Sequence, residues 1–291
     1  MAKKKQTTEV NGTETTVPEN TEIVPGTETT VTETTEIVPD TETTVTGVPK
    51  TVTDTLPQGV PHDIVVVLLV NGTESAELVQ LAIDKWRENF ADQNADRLLI
   101  IGGKYGDIPS IPFDGANDVD VNLANLLAAI VADDEVPERF ILSPVAAFPN
   151  LEITEEDLQG LHCLGTALSK QQVICLKNIS ELAVTQQLKK KGFTDVYNYE
   201  TGLPVVLEKT KVTELFEEFN PQTYPTKVIS LYLNFFNKDV KPVPVDFRNG
   251  KYATRIWRRN PDMPVVRRAL KESKFLSLKN EGYLAIKKLL E

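Results

Sequence analysis

The chain has few of the residues that build metal centres and disulfide frameworks. It contains two cysteines and two histidines among 291 residues, which argues against a zinc site with Cys and His ligands and against a disulfide scaffold. No apolar run approaches the length of a membrane span. The opening residues MAKKK lead into polar residues rather than into the apolar core of a signal peptide. We therefore expect no metal, no cofactor, no membrane contact and no secretion through a signal peptide.

Aromatic residues are absent from the first part of the chain, where Trp86 is the first of them. Residues 1–60 carry 19 threonines together with Glu, Val and Pro, and they offer too little bulky apolar surface to offset the entropy of an ordered chain. TEIVPGTETTVT at 21–32 recurs as TEIVPDTETTVT at 35–46. Few, short and Pro-rich copies favour an extended spacer over a stacked solenoid. The sequence thus predicts a disordered tail over 1–60 and a folded domain over 61–291.

Basic residues are outnumbered by acidic ones over residues 1–240, and acidic residues are scarce over residues 241–291. Residues 1–60 have 4 basic and 10 acidic residues, residues 61–240 have 14 and 27, and residues 241–291 have 13 and 5, which gives −6, −13 and +8. The basic C-terminal segment either meets an anionic partner or neutralises the protein's own acidic body, and we favour the second interpretation slightly. The run from Arg258 to Arg268 lacks the aromatic interleaving of a single-strand binder, so nucleic acid is not an expected partner.

From His62 onward the apolar spacing is that of an α/β domain. DIVVVLLV at 63–70 is a continuous apolar run typical of a strand buried on both faces. A helical spacing follows over 74–90, with Ser75 or Thr73 as its cap, and RLLIIGG gives a second strand. A strand, a helix and a strand in this order predict a parallel sheet.

The alternation of helices and strands continues to the end of the chain. It predicts a helix at 119–133, one strand over ERFILSPVAAF, a loop region around TEEDLQGL, a strand over QVICLK, a helix ending near Gly192, and a closing segment EGYLAIKKLLE. The predicted fold class is α/β, with a mixed, mostly parallel sheet flanked by helices.

Eight short motifs stand in an order that resembles a known family. They are NGTESAEL, LIIGGK, VNLANLLAAI, PERFIL, YETGLPVVLEK, SLYLN, DVK and KFLSLKN. Their order and spacing are similar to those of GT-A-type (Rossmann-like) glycosyltransferase-like proteins related to the Stealth sugar-phosphate transferases, in particular versions found in bacteriophage genomes. The resemblance spans Asp63 to Leu290. It implies a nucleotide-sugar cleft at the carboxyl ends of the first strands, where open α/β sheets place ligands on physical grounds too.

The sequence departs from this family where the chemistry would lie. The family's Asn-Asp-Asp after the strand matched by RFIL falls on residues 144–146, which are Pro-Val-Ala. Its Arg after EL falls on Val79, its His before Pro falls on Gly202, and its Arg before SLY falls on Ile229. Carboxylates that hold a divalent cation and groups that balance developing charge are thereby replaced by apolar or neutral residues. This pattern indicates a fold that is kept while its chemistry is lost.

Several polar residues of the family pattern remain. The candidate ligand-binding residues are Asn71, Lys104 after the double glycine, Asn122, Asp239 and Lys241. Asp239 and Lys241 would share one face if they lay on a strand, where a local ion pair is the simpler interpretation. Asn125, Asn234, Ser277 and Asn280 remain as well.

Two hypotheses for the function follow from the resemblance. In the first, which we favour, a catalytically degenerate glycosyltransferase-like domain acts as a structural or interaction module among protein partners in a larger assembly, such as a bacteriophage virion, and the protein is found in the virion or the host cytoplasm. In the second, an active glycosyltransferase or sugar-phosphate transferase uses nucleotide sugars with a displaced acid set, for example Asp107, Asp114 and Asp239. The fold alone does not choose between them.

Overall fold

A computed structural model describes residues 64–91, 97–113, 119–167, 178–248 and 250–290. All of them belong to the unit Gly59–Glu291. Three sequence-based predictions lie outside the described residues: the disordered tail over 1–60, the strand over QVICLK, and Asp114 as a candidate acid.

The main sheet has five strands in the order β3-β2-β1-β4-β7. The strands are β1 (Val65–Leu69), β2 (Leu98–Ile101), β3 (Ser110–Ile111), β4 (Arg139–Pro144) and β7 (Val205–Glu208). β1, β2, β3 and β4 are parallel, and β7 pairs antiparallel with β4, so that Leu142 faces Val205 and Arg139 faces Glu208. The predicted α/β class with a mixed, mostly parallel sheet is confirmed.

Two smaller sheets complete the strand structure of the described residues. The three-stranded sheet has the order β5-β10-β9 and contains β5 (Ala147–Pro149), β9 (Ala253–Ile256) and β10 (Phe275–Leu278). The two-stranded sheet pairs β6 (His162–Cys163) with β8 (Val243–Pro244). ERFILSPVAAF therefore forms two strands in two sheets rather than the single predicted strand, because the chain turns at 145–146 and its second half pairs with β10.

Eight helices lie in the described residues. They are α1 (Ala76–Asn89), α2 (Val119–Ala132), α3 (Glu155–Gln159), α4 (Ile179–Lys190), α5 (Lys209–Phe219), α6 (Val228–Phe236), α7 (Met263–Glu272) and α8 (Asn280–Leu290). α1 begins as predicted, since the Ser75 hydroxyl accepts a hydrogen bond from the backbone N–H of Leu78. α4 also ends as predicted, where Gly192 takes a positive φ of 85°.

The main sheet buries both of its faces. Alternate residues of β1 point to opposite sides, so that Val66 and Leu68 pack with α1, the three-stranded sheet, α7 and α8. Val65 and Val67 pack on the other side with α2, α4, α5 and α6. This two-sided burial explains the continuous apolar run of β1, and it leaves the ends of the strands as the exposed part of the sheet.

Candidate functional site

The loops after β1 and β2 form the carboxyl edge of the main sheet. The Glu74 carboxylate accepts hydrogen bonds from the backbone N–H of Asn71 at 3.0 Å and from its side-chain amide at 3.4 Å. Gly102 has a φ of 89°, and a Cβ at this position would lie 2.2 Å from the carbonyl oxygen of Val70, so glycine is required by packing. Lys104 is exposed and forms no hydrogen bond or ion pair with the described part of the chain. Lys104 is thus a free cation at this edge.

Asn280 ties the loop after β1 to the three-stranded sheet. Its side-chain oxygen accepts a hydrogen bond from the backbone N–H of Ser75 at 2.9 Å, and its amide donates to the carbonyl of Thr73 at 2.7 Å. Asn280 is the first residue of α8 and is separated from the end of β10 by Lys279 alone. This pair of bonds places the end of β10 beside the carboxyl edge of the main sheet.

Residues 143–147 connect the end of β4 in the main sheet to β5 in the three-stranded sheet. We call this segment the β4–β5 joint. The Val145 side chain is 0% exposed, and its backbone N–H donates to the carbonyl of Leu69 at 3.1 Å. The carbonyl of Ala146 accepts from the backbone N–H of Leu278 at 2.7 Å, and the Ser143 hydroxyl donates to the carbonyl of Ala147 at 2.9 Å. Val145 is therefore a buried part of a structural connection, and its neighbours Pro144 and Ala146 are half-buried.

The loop before β7 reaches the same edge and carries a partly buried carboxylate. One oxygen of Glu200 accepts hydrogen bonds from the backbone N–H and the hydroxyl of Ser230, each at 3.0 Å. Burial raises the pKa of Glu200 above its ordinary value, while Lys227 acts in the opposite direction. Gly202 takes a positive φ of 65° in this loop, with open space around it, and it is exposed to solvent.

A cationic and aromatic cleft of about 820 Å³ lies where β9 ends and α7 begins, and we call it the Arg–Trp cleft. Its lining includes Phe247, Arg248, Arg255, Trp257, Arg258 and Val265. The Arg255 guanidinium carbon lies 3.5 Å from the ring centre of Phe247 and 4.5 Å from that of Trp257. Arg255 also donates to the carbonyl of Thr201 at 2.6 Å, which fixes the cleft to the loop before β7.

Trp257 is the most exposed aromatic part of the cleft, with 40% of its surface accessible. Its indole N–H donates to the hydroxyl of Ser277 at 3.1 Å, and the ammonium of Lys279 lies 4.5 Å from its ring centre. Cations held against aromatic faces in this way are stabilised electrostatically. The ring and its two cations are therefore positioned before any ligand arrives.

One acid, Asp262, lines the cleft together with its three arginines. None of the ion pairs between described residues involves Arg248, Arg255 or Arg258. Arg259 and Arg267 lie nearby in sequence, are exposed, and form no such pair within the described ranges either. The favoured interpretation, in which this basic segment neutralises the acidic body, thus has no direct ion pairs at these residues to support it.

The structure does not bring all five predicted site residues together. Asn71 and Lys104 lie at the carboxyl edge, and Asn122 lies near the start of α2, where Asp120 pairs with Lys227 at 2.6 Å just before α6. α6 then runs along β7 toward the opposite edge. There the Tyr232 hydroxyl accepts a hydrogen bond from the backbone N–H of Glu208, the last residue of β7.

Asp239 and Lys241 follow α6 and are therefore carried away from the carboxyl edge. They lie in a turn and a loop rather than on a strand, so the condition under which they would share one face is not met. The helix ends at Phe236 and the next strand begins only at Val243. Both residues are exposed and form no ion pair with each other.

Three of the other polar residues singled out in the sequence make contacts that support the fold. Asn234 is buried, accepts from the backbone N–H of Tyr197, and donates to the carbonyls of Tyr197 and Ser230. The Asn125 side chain accepts from Gln222 at 3.0 Å, and Ser277 holds the Trp257 indole. These contacts give a structural reason for each residue type.

The described part of the displaced acid set is spread over two loops. Asp107 lies in the exposed turn between β2 and β3, and Asp239 follows α6. Within the described ranges no group of three or more His, Cys, Asp or Glu side chains is close enough to hold a metal ion. No helix in the described part of the chain has the length and apolar character needed to cross a membrane.

Sequence reasoning missed the aromatic half of the cleft. It singled out the arginines from Arg258 onward and noted that aromatic residues were not interleaved with them. Trp257 precedes that run directly, and Phe247 joins it only through the fold. The consecutive residues Trp257, Arg258 and Arg259 were the pattern in the sequence that could have indicated an aromatic and cationic site.

No protein-family model matches the sequence, and a search of curated proteins finds no match either.

Proposed function

We propose that the protein is a non-catalytic interaction module, in which a glycosyltransferase-like α/β body of GT-A type serves as a scaffold and the Arg–Trp cleft binds an anionic protein partner. The observation that carries the proposal is the β4–β5 joint. Val145 is fully buried there and the backbone on both sides of it is bonded to neighbouring strands. A side chain in such a position serves packing and has no access to a substrate.

The cleft supports the binding part of the proposal. Trp and Arg are the residue types that dominate binding energy in protein interfaces, and both are exposed here next to a Phe ring. Arginine is suited to carboxylates because its planar donors match their two oxygens. A partner that offers Asp or Glu beside an apolar residue would therefore meet complementary groups at the cleft.

The resemblance to proteins encoded in bacteriophage genomes extends the proposal to a place in the phage particle. Such a component is held at a fixed stoichiometry, whereas an enzyme of the host cytoplasm is not. Quantitative mass spectrometry of purified particles tests this directly. We expect a constant copy number per particle, and a protein found only in the soluble fraction of infected cells would contradict the virion assignment.

The cleft is tested separately with defined probes. Fluorescence anisotropy compares a labelled peptide of alternating Glu and Leu with matched Gln-Leu and Lys-Leu peptides and with a single-stranded oligothymidylate. We expect the Glu-Leu peptide to bind most tightly and more weakly at high salt. Tighter binding of the oligonucleotide would make nucleic acid the partner instead.

A pair of charge-reversed variants locates the binding surface. Arg248→Glu with Arg258→Glu removes two cations of the cleft, and we expect affinity for the acidic peptide to fall about tenfold or more. Arg87→Glu with Lys189→Glu makes the same change of net charge at exposed positions on α1 and α4. Equal losses in both variants would mean that net charge, and not the cleft, governs binding.

A further inference from the structure

A second cavity, of about 220 Å³, lies along the outer edge of β7. β7 is the last strand of the main sheet, and residues 203–206 line the cavity in succession. The opposite wall comes from α3, from β6 and from the segment before β9, and α6 closes one side. The cavity shares no lining residue with the Arg–Trp cleft, so it is a separate place on the molecule.

His162 supplies unsatisfied polar groups to this cavity. Its ring stacks on Tyr252 with centroids 3.6 Å apart, and burial lowers the pKa of the imidazole, which keeps it neutral near pH 7. A neutral imidazole has one donor and one acceptor nitrogen. Neither nitrogen has a hydrogen-bond partner among the residues that the structure describes. Both are therefore available to a ligand.

Tyr232 supplies a donor on the facing wall. Its hydroxyl oxygen accepts from the backbone N–H of Glu208 at 3.1 Å, and burial raises the pKa of the phenol to about 12, so the hydroxyl keeps its proton. That proton has no acceptor within the described ranges. A ligand oxygen in the cavity can accept it.

The charged residues around the cavity are already paired. Arg139 forms an ion pair with Glu155, and Lys211 lies 2.9 Å from the carboxylate of Glu208. A charged ligand would have to compete with these pairs and lose its hydration. The remaining walls combine apolar and aromatic side chains, such as Leu158 and Phe236, with uncharged polar ones, and the polar ones are Gln159, Thr201 and Asn237. The lining therefore favours an uncharged occupant.

Volume limits the size of that occupant. At about 30 Å³ per water molecule the cavity has room for about seven, and it is smaller than the roughly 300–1,000 Å³ typical of sites for drug-sized ligands. A hydroxyl both donates and accepts, so neighbouring hydroxyls on one ring would satisfy the two nitrogens of His162 and the proton of Tyr232 together. We propose that this cavity binds an uncharged polyhydroxylated ring, a single sugar residue, through His162 and Tyr232.

Saturation-transfer difference NMR on the full chain tests the proposal with glucose, galactose, mannose and N-acetylglucosamine. Glucuronate and glucosamine are the charged counterparts. We expect saturation transfer to at least one uncharged sugar and weaker binding of its charged counterpart. The absence of transfer to all four at millimolar concentration overturns the proposal, as does tighter binding of the charged sugars.

Three variants assign the binding to the cavity. Tyr232→Phe removes the donor, and His162→Phe keeps a ring on Tyr252 without its nitrogens; each should weaken binding about three- to tenfold. Gly160→Ala leaves both groups intact but places a methyl 3.0 Å from Nε2 of His162, and it should weaken binding too. The Gly160 φ of −62° suits alanine, so this variant should fold.

Tyr224→Phe is the matched control, because it removes a tyrosine hydroxyl that bonds Gln187 and the carbonyl of Phe219 outside the cavity. Its affinity for the sugar should equal that of the wild type. Unchanged binding in all three cavity variants would place the sugar elsewhere and overturn the assignment.

Discussion

The β4–β5 joint and the Arg–Trp cleft both lie at ends of strands, but the first is held by backbone hydrogen bonds and the second by side-chain contacts. In the joint, Val145 is buried and the backbone provides the bonds. In the cleft, side chains carry the polar contacts: Arg255 stacks on two aromatic rings, and Trp257 is exposed between Arg255 and Lys279. One region closes the sheet, and the other remains open to a partner.

This difference shows that one edge of an α/β fold can contain both a buried structural segment and an exposed surface. Val145 follows β4 and is buried where the chain turns into β5, the strand that pairs with β10 in a second sheet. β9 pairs with β10 in the same sheet, and the residues that follow these two strands, Trp257 and Lys279, are exposed. Burial at the joint and exposure at the cleft are therefore two results of one arrangement of strands.

The sharpest test of the comparison is a charge in the joint. Val145→Asp buries a carboxylate with no partner, and we expect the free energy of unfolding to fall by at least about 3 kcal/mol. Urea denaturation measures the loss. Val145→Thr keeps the shape and adds only a hydroxyl, so it should cost less, about 1–3 kcal/mol.

The same position tests the loss of chemistry. Val145→Asp combined with Ala146→Asp should not produce Mn²⁺-dependent turnover of nucleotide sugars, because the proposed resemblance places Val79 and Gly202 at the positions of the family's Arg and His. A nucleoside diphosphate with Mn²⁺ should not raise the melting temperature of the unmodified protein. Robust Mn²⁺-dependent hydrolysis by the unmodified chain, abolished by Asp239→Ala, would support the transferase hypothesis instead.

Asn280 provides a test of intermediate size, because it joins the loop after β1 to the region of the cleft. Asn280→Ala removes two hydrogen bonds, and we expect a loss of about 1–2 kcal/mol in urea denaturation. Asn280→Asp keeps the acceptor for the Ser75 N–H but loses the donor to Thr73. Its stability should therefore lie between that of the wild type and that of Asn280→Ala. A full loss in both variants would show that only the bond to Thr73 matters.

Much of the fold is predictable because its signals are local. The apolar run of β1 follows from burial on two faces, and Ser75 caps α1 with its own side chain. The division of ERFILSPVAAF into β4 and β5 was not predictable, since nothing within it is unfavourable for one strand. The division depends on β10, which pairs with β5 from near the end of the chain.

The binding surfaces depend even more on distant contacts. The basic run at Arg258 was visible in the sequence, but Phe247 joins Arg255 only because the chain folds back before β9. His162 and Tyr232 meet at one cavity through the pairing of β6 with β8 and the packing of α6 beside β7. These contacts join residues that are far apart in the sequence, and no spacing pattern predicts them.

Glu200 lies next to Thr201, the residue that Arg255 holds, and it gives a pH-dependent test. Its pKa is raised in the folded state, so its contribution to stability is present below the unfolded value of 4.5 and is lost as pH rises through the folded value. Glu200→Gln keeps an oxygen acceptor for Ser230. We expect the variant to match the wild type in stability near pH 4 and to be more stable than the wild type near pH 7.

Urea titrations of both proteins at several pH values measure this effect. A variant that is less stable than the wild type near pH 7 would contradict the sign. In that case the attraction of Lys227 for the carboxylate would outweigh the cost of burial.

The smallest effect on stability should come from the cleft's basic segment. Arg258, Arg259 and Arg267 are exposed and form no ion pair with the described residues, so changing all three to Glu should alter the free energy of unfolding by less than about 1 kcal/mol. The net charge changes from −11 to −17, since each change removes one positive and adds one negative charge. The resulting self-repulsion should disappear at high salt.

Arg268 separates local bonding from charge in the same experiment. Its guanidinium donates to the carbonyl of Arg248 at 3.1 Å, so adding Arg268→Glu to the triple variant should cost roughly 0.5–1.5 kcal/mol that salt does not restore. Peptide binding should already be lost in the triple variant. If the triple variant instead unfolds several degrees lower at low salt and recovers at high salt, the segment stabilises the acidic body through its charge, which would contradict the binding role of the cleft.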